Sequence, residues 1–140
     1  MSDKVWAFRH RLTVRFSDCD LLGHVNHAVY LTYFEECRVA WWRHLGGTQG
    51  MPGAGAILVH ASCNYRAPAH MSESLEINLA VTAIGTSSVT MEYEITNVAS
   101  GRLIADGKTV VVAYDYTAGT VIPLPADTRE ALLAARAEPA

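Results

Sequence analysis

The most ionisable short stretch of this chain, SDCDLLGHVNH (residues 17–27), lies directly ahead of its most apolar one, AVYLTYFEECRVAWW (residues 28–42). Asp18 and Asp20 are two apart, Gly23 follows, and His24 and His27 are three apart with Asn26 between them. Asn26 is a good N-cap, which places His27 at or next to the first turn of a following helix. Backbone N–H groups in a first turn have no intrahelical partner, and that helix end carries a partial positive charge. Such an end suits an oxygen on which negative charge develops. Gly23 lets the loop bend tightly and lets a ligand approach the backbone. Asp20 then sits beside the helix end, on the far side of whatever atom the N–H groups hold. A carboxylate opposite an oxyanion-binding helix end, next to an apolar pocket, has the parts needed to hydrolyse an acyl group. The apolar helix would line the acyl pocket.

The same residues have plainer readings. Asp20 can be a loop-ordering acid that satisfies N–H groups at the helix start. His24 and His27 can be hydrogen bonders there. Their spacing allows a metal, but a zinc site needs three or four ligands and no partner pair stands out. Tyr30 and Tyr33 fit a core, and Glu35 fits an ion pair with Arg38 three residues on. No serine stands in a GxSxG elbow, and neither GxGxxG nor a P-loop occurs.

The elements that must hold this stretch follow from periodicity. Residues 8–16 alternate loosely and read as a first strand. Asp18 to Asn26 is a loop. From about His27 to Leu45 the period becomes helical, with Tyr30, Tyr33, Phe34, Cys37 and Trp41 on one face. Leu31, Val39 and Trp42 make the rest of that helix apolar too, so it is expected to be buried on most sides. Gly46-Gly47 ends it. Four strands are expected next. In ILVHASCNYR (residues 57–66), Ile57, Val59, Ala61, Cys63 and Tyr65 share one face and His60, Ser62, Asn64 and Arg66 the other. Residues 73–84 and 88–97 are joined by a turn at Gly85, Ser100-Gly101 makes the next turn, and Leu103 to Tyr116 is the last strand. A short helix closes the chain, with Asp127 as its cap and Glu130 in capping-box spacing. One helix cannot cover five flat strands, so an α+β domain with a curved antiparallel sheet around the helix is expected. Its open edges invite a second copy.

Composition narrows the function. The chain has 140 residues, half of them hydrophobic and 18% charged, with a net charge of -3. That suits a single domain over residues 1–140. No Lys/Arg run marks a nucleic-acid surface. Arg38 and Arg43 interrupt the longest candidate membrane span, and the N-terminus has no signal-peptide core. Cys19, Cys37 and Cys63 are odd in number and widely spaced, which points to a reducing cytoplasm.

VRFSDCDLLGHVNHAVYLTYFEECR (residues 14–38) resembles the signature of the hotdog-fold acyl-CoA thioesterases, in the 4-hydroxybenzoyl-CoA thioesterase-like branch. That signature reads D-x-D-x-x-G-H-V-N-N-x-x-Y-x-x-Y-x-E-x-x-R. Asp18, Asp20, Gly23, His24, Val25, Asn26, Tyr30, Tyr33, Glu35 and Arg38 match it. NYRAPAHMSESLEI (residues 64–77) and IGTSSVTMEYEI (residues 84–95) resemble later parts of the family, so the likeness covers nearly the whole chain in order. It implies that Asp20 is the catalytic acid and that the His27 N–H is the oxyanion donor. It further implies that Gly23, Val25, Asn26 and Tyr30 border the substrate, and that Ser87 and Ser88 are a polar pair near the thioester. His27 stands where the signature has a second asparagine, which leaves the role of its imidazole open. Thr86 stands where relatives often carry a basic residue that contacts nucleotide phosphates. The implied architecture is a five-stranded sheet around one helix, paired edge to edge as a homodimer, with homotetramers of two dimers also common. The implied activity is hydrolysis of an acyl-CoA to acid and CoA without a cofactor, a metal, a nucleic-acid partner or a membrane. The alternatives are a non-catalytic acyl-ligand binding protein on the same fold, or hydrolysis with acyl carrier protein in place of CoA. A hotdog hydratase needs an Asp/His arrangement further along the chain that SDCDLLGHVNH does not resemble.

Overall fold

The computed structural model describes residues 4–48 and 50–137. The first strand, β1, is Phe8–Thr13, and a single 3-10 turn, Phe16–Asp18, leads into the ionisable loop. Helix α1 is Val29–His44. Strands β2 (Gly55–Tyr65), β3 (Ser74–Ile84), β4 (Ser88–Asn97) and β5 (Leu103–Asp115) follow. A two-residue strand β6 (Thr120–Val121), which the periodicity does not reveal, pairs with the end of β5. Helix α2 is Ala126–Ala137.

The sheet is antiparallel, in the order β1-β3-β4-β5-β2. Strands β3, β4 and β5 are hairpin neighbours, as their turn residues predict. Strand β2 is not paired with β3, which follows it, but with β5 at the far edge. The connection over residues 66–73 therefore crosses from one edge of the sheet to a strand near the other, and it passes the start of α1. Its backbone ties down the ionisable loop on the way: Val25 N–H donates to the Ala69 carbonyl at 2.9 Å, and Ser72 N–H to the Val14 carbonyl at 2.9 Å.

Alternation puts Leu75, Ile77, Leu79, Met91, Tyr93, Ile95, Val111 and Ala113 in the core. Helix α1 meets them with Tyr30, Tyr33, Phe34, Cys37, Trp41 and Trp42. Phe34 stacks on Tyr93 with centroids 4.5 Å apart. Gly107 on β5 makes room for it, because a Cβ there would lie 2.5 Å from the Phe34 ring and 2.4 Å from the Ser62 carbonyl oxygen. Arg38 is buried in the same layer, donates to the Tyr93 hydroxyl at 3.3 Å and lies 5.7 Å from the Trp42 ring centroid. Its pairing with Glu35, at 3.9 Å, is present as the spacing predicts.

Helix α1 is buried or half-buried on most sides and exposed along one stripe at Leu31, Thr32 and Glu35. Two expectations need correction. Ile57 does not share a face with Ala61, because the register with β5 shifts between Leu58 and His60. Val59 is the extra residue of a bulge, and a bulge reverses which residues face the core. Beyond it, Ala61, Cys63 and Tyr65 pair with Thr109, Gly107 and Ala105. Asp127 is not the cap of α2, since the helix already begins at Ala126.

Candidate active site

Residues 19–25 form a miniature hairpin. Cys19 and Val25 make an antiparallel bridge, and Asp20 N–H donates to the His24 carbonyl at 2.8 Å. Leu21 and Leu22 stand at its exposed tip. Gly23 takes φ +80°, a region that side-chain-bearing residues rarely adopt. Its part is to close the hairpin, and a Cβ placed on it would have no atom within 4 Å.

The two acids have different surroundings. Asp18 is 4% exposed. Its carboxylate accepts from the Arg15 guanidinium at 3.0 Å, from the Arg15 N–H at 3.0 Å and from the Tyr33 hydroxyl at 2.8 Å. Burial alone would push this carboxyl up, but the bonds from Arg15 and Tyr33 together hold it below the ordinary carboxylate value. The same contact acts on Tyr33: burial first, and then the Asp18 carboxylate, push its phenol well above the ordinary tyrosine value. Asp18 is thus an anchor, and its own carbonyl accepts the Asn26 N–H at 2.8 Å. Asp20 is exposed. Its Oδ1 accepts the N–H groups of Leu22 at 2.9 Å and His24 at 3.3 Å, which orders the hairpin rather than the helix start. Its Oδ2 has no hydrogen-bond partner among the described residues.

The helix begins two residues later than expected. Ala28 occupies the N-cap position and makes no side-chain cap bond. Asn26 instead starts a turn ahead of the helix: its Oδ1 accepts the Ala28 N–H at 3.0 Å and its carbonyl the Val29 N–H at 2.9 Å. His27 lies inside that turn, and among the described residues its N–H has no partner. The His27 carbonyl accepts the Tyr65 hydroxyl at 3.0 Å.

Asp20, His24, Val25, His27 and Tyr30 line one cleft of ≈ 380 Å³, closed on the other side by Tyr65, Arg66, Ala67 and Pro68. The structure thus brings together Asp20, Val25, His27 and Tyr30. Gly23 and Asn26 shape the backbone around the cleft and are not in its wall. Ser87 and Ser88 lie at the other end of the sheet. Ser88 pairs with Val112 on β5 and Tyr65 with Ala105, seven residues apart on that strand, or roughly 23 Å. Tyr65 and Arg66 are cleft residues that the sequence reading left in a strand pattern. The pairing of β2 with β5 sets this end of the strand beside the helix start. A larger trough of ≈ 1140 Å³ on the sheet is lined by polar residues including Asn64, Glu92, Asp106 and Lys108. Within it Arg66 pairs with Asp106 at 2.8 Å and Lys4 with Glu92 at 3.8 Å.

Residues 14–132 match the family model described as the thioesterase-like superfamily. The chain belongs to this superfamily. It is 31% identical over 111 residues to the acyl-CoA thioester hydrolase YbgC of Escherichia coli, an alignment that covers 77% of this chain and 82% of that protein. It is 28% identical over 124 residues to the long-chain acyl-CoA thioesterase FadM of Escherichia coli, covering 87% and 94%. Among solved structures, Slr0204, a 1,4-dihydroxy-2-naphthoyl-CoA thioesterase from Synechocystis, superposes with a TM-score of 0.81 at 27% identity, over 90% of this chain and 95% of that one. This superfamily member is a thioesterase with the hotdog fold, its long helix held by an antiparallel sheet. No helix among the described residues is long and apolar enough to cross a membrane.

Proposed function

We propose that this chain hydrolyses acyl-CoA thioesters, in the 4-hydroxybenzoyl-CoA thioesterase-like branch, with Asp20 as the reacting carboxylate and the His27 N–H as oxyanion donor. The observation that carries the reading is the shared cleft: Asp20 and His27 line the same ≈ 380 Å³, and among the described residues neither the Asp20 Oδ2 nor the His27 N–H has a hydrogen-bond partner. The thioester carbonyl would lie between them. Attack on it, by Asp20 directly or by a water that Asp20 deprotonates, puts negative charge on the oxygen held by the N–H. Collapse of that adduct breaks the C–S bond and releases CoA as thiolate. In the direct route, water then cleaves the resulting mixed anhydride and returns Asp20. A preorganised donor of this kind is worth on the order of 100–1,000-fold in rate. The names borne by the relatives add support for CoA as the carrier.

The assembly we propose is a homodimer through β2, or a tetramer of two such dimers. The free edge of β2 exposes Leu58, Val59 and Tyr65, and an apolar edge left open is prone to pair. Antiparallel pairing of β2 with its copy about a two-fold axis sets the far end of one sheet beside the cleft end of the other. The partner's Ser87 and the partner's Ser88 would then approach the cleft of this chain. The three free thiols fit a cytoplasmic setting.

A thiol-release assay over short, long and aromatic acyl-CoAs, with acyl carrier protein thioesters in parallel, tests the activity. Turnover of at least one acyl-CoA is expected. Binding without turnover across the panel would leave the acyl-ligand binding alternative. Light scattering at micromolar concentration tests the assembly, and an active monomer would refute it.

A further inference from the structure

The geometry points to Tyr65 as a positioning residue: its hydroxyl, donated to the His27 carbonyl, holds the turn that presents the His27 N–H to the substrate. This rests on the hydrolytic reading above. Tyr65 ends β2, and the regular alternation beyond the bulge at Val59 places it on the same face as Ala61 and Cys63. Its ring meets the Tyr30 ring edge-on with centroids 5.4 Å apart, and its hydroxyl reaches the His27 carbonyl at 3.0 Å. The strand and the helix start are thereby joined at two points, across 38 residues of sequence.

The turn needs that join. In its other two bonds the Ala28 N–H and the Val29 N–H both donate to Asn26, to Oδ1 and to the carbonyl. Nothing else among the described residues holds the peptide between His27 and Ala28, and Ala28 brings no side-chain cap. A carbonyl only accepts, so the single phenolic proton is committed to His27 and is not available to the leaving group. Burial, with a smaller effect of Cys63, raises this phenol above its ordinary value, so the donor persists through neutral and mildly alkaline pH. Tyr65 therefore acts through the backbone of His27 and not on the thioester.

Tyr65→Phe keeps the ring and its contact with Tyr30 and removes only the hydroxyl. Displacement of a reacting group by about 1 Å costs on the order of 100-fold, so kcat should fall by about 10- to 100-fold while KM stays within about twofold. The melting temperature, measured alongside, shows that the variant is folded. Hydrogen exchange of a peptide spanning residues 24–30 should quicken while β3 and β4 stay protected, a readout that does not depend on turnover. Wild-type kcat in Tyr65→Phe overturns the inference, as does a loss carried by KM alone, which would make Tyr65 a substrate contact. Unchanged exchange over residues 24–30 overturns it as well. If the wild-type protein hydrolyses no acyl-CoA, the hydrolytic reading fails first, and the exchange comparison still decides whether Tyr65 holds the turn.

Discussion

Replacing each acid of the Asp18-Cys19-Asp20 stretch by asparagine should separate stability from catalysis. Asp18→Asn puts an NH2 group where one carboxylate oxygen accepts a guanidinium or a hydroxyl. The site is 4% exposed, so water cannot replace what is lost. Hydrogen bonds to a charged group contribute about 1.5–3 kcal/mol each, and an Arg15 left facing an amide keeps only Glu36, at 4.0 Å, as a counter-charge. A loss of about 2–4 kcal/mol follows, partly relieved because Arg15 itself is exposed. For a domain of this size that is a fall in melting temperature of roughly 6–15 °C. Asp20→Asn should behave in the opposite way. Asparagine supports the same turn through its own side-chain oxygen, so the two bonds from Leu22 and His24 survive and stability changes by less than about 0.5 kcal/mol. The reacting charge is gone, and turnover should fall by about 100- to 10,000-fold with substrate binding largely kept. Differential scanning fluorimetry and thiol release on the same two preparations give both quantities. An Asp20→Asn protein that turns over at the wild-type rate would refute the assignment. So would an Asp18→Asn protein as inactive as Asp20→Asn but fully stable.

Three further outcomes are expected. His27→Asn keeps the backbone donor and should retain most activity, whereas His27→Pro deletes that donor and should abolish turnover in a folded protein; a large kcat loss in His27→Asn would make the imidazole a participant. Because Asp18 titrates below its unfolded value near ~3.9, its contribution to stability is complete above that pH and is lost as pH falls through its folded value. Acid unfolding monitored by circular dichroism should therefore steepen below pH ~4 in the wild type and be shallower in Asp18→Asn; identical profiles would remove Asp18 from the account. Gly107→Ala should destabilise by about 1–3 kcal/mol in denaturant titration, because its Cβ meets the Ser62 carbonyl and the Phe34 ring, and no loss would mean that α1 shifts freely on the sheet.

Local chemistry made much of this protein legible in its sequence. The helical period of Tyr30, Phe34, Cys37 and Trp41, the alternation through β3, β4 and β5 and the turns at Gly85 and Gly101 act over a few residues, and the chain folds where they point. Asp20 and His27 were legible as well, because seven residues separate them and one hairpin and one turn suffice to bring them to a common cleft. Asn26 was misplaced as the helix cap for the same local reason: its side chain does cap an N–H, but the turn it starts runs on to Ala28 before the helix begins. Tertiary structure decided the rest. The bulge at Val59 reverses the facing of β2 without a glycine or proline to mark it. The crossover after Arg66 depends on β2 finding β5 across some 40 residues, and on that pairing rest both the Tyr65–His27 bond and the far wall of the cleft. The different surroundings of the two acids were also a tertiary matter. Asp18 and Asp20 have the same chemistry and nearly the same place in the chain, and the packing of Tyr33 and Arg15 buries Asp18 while Asp20 stays exposed.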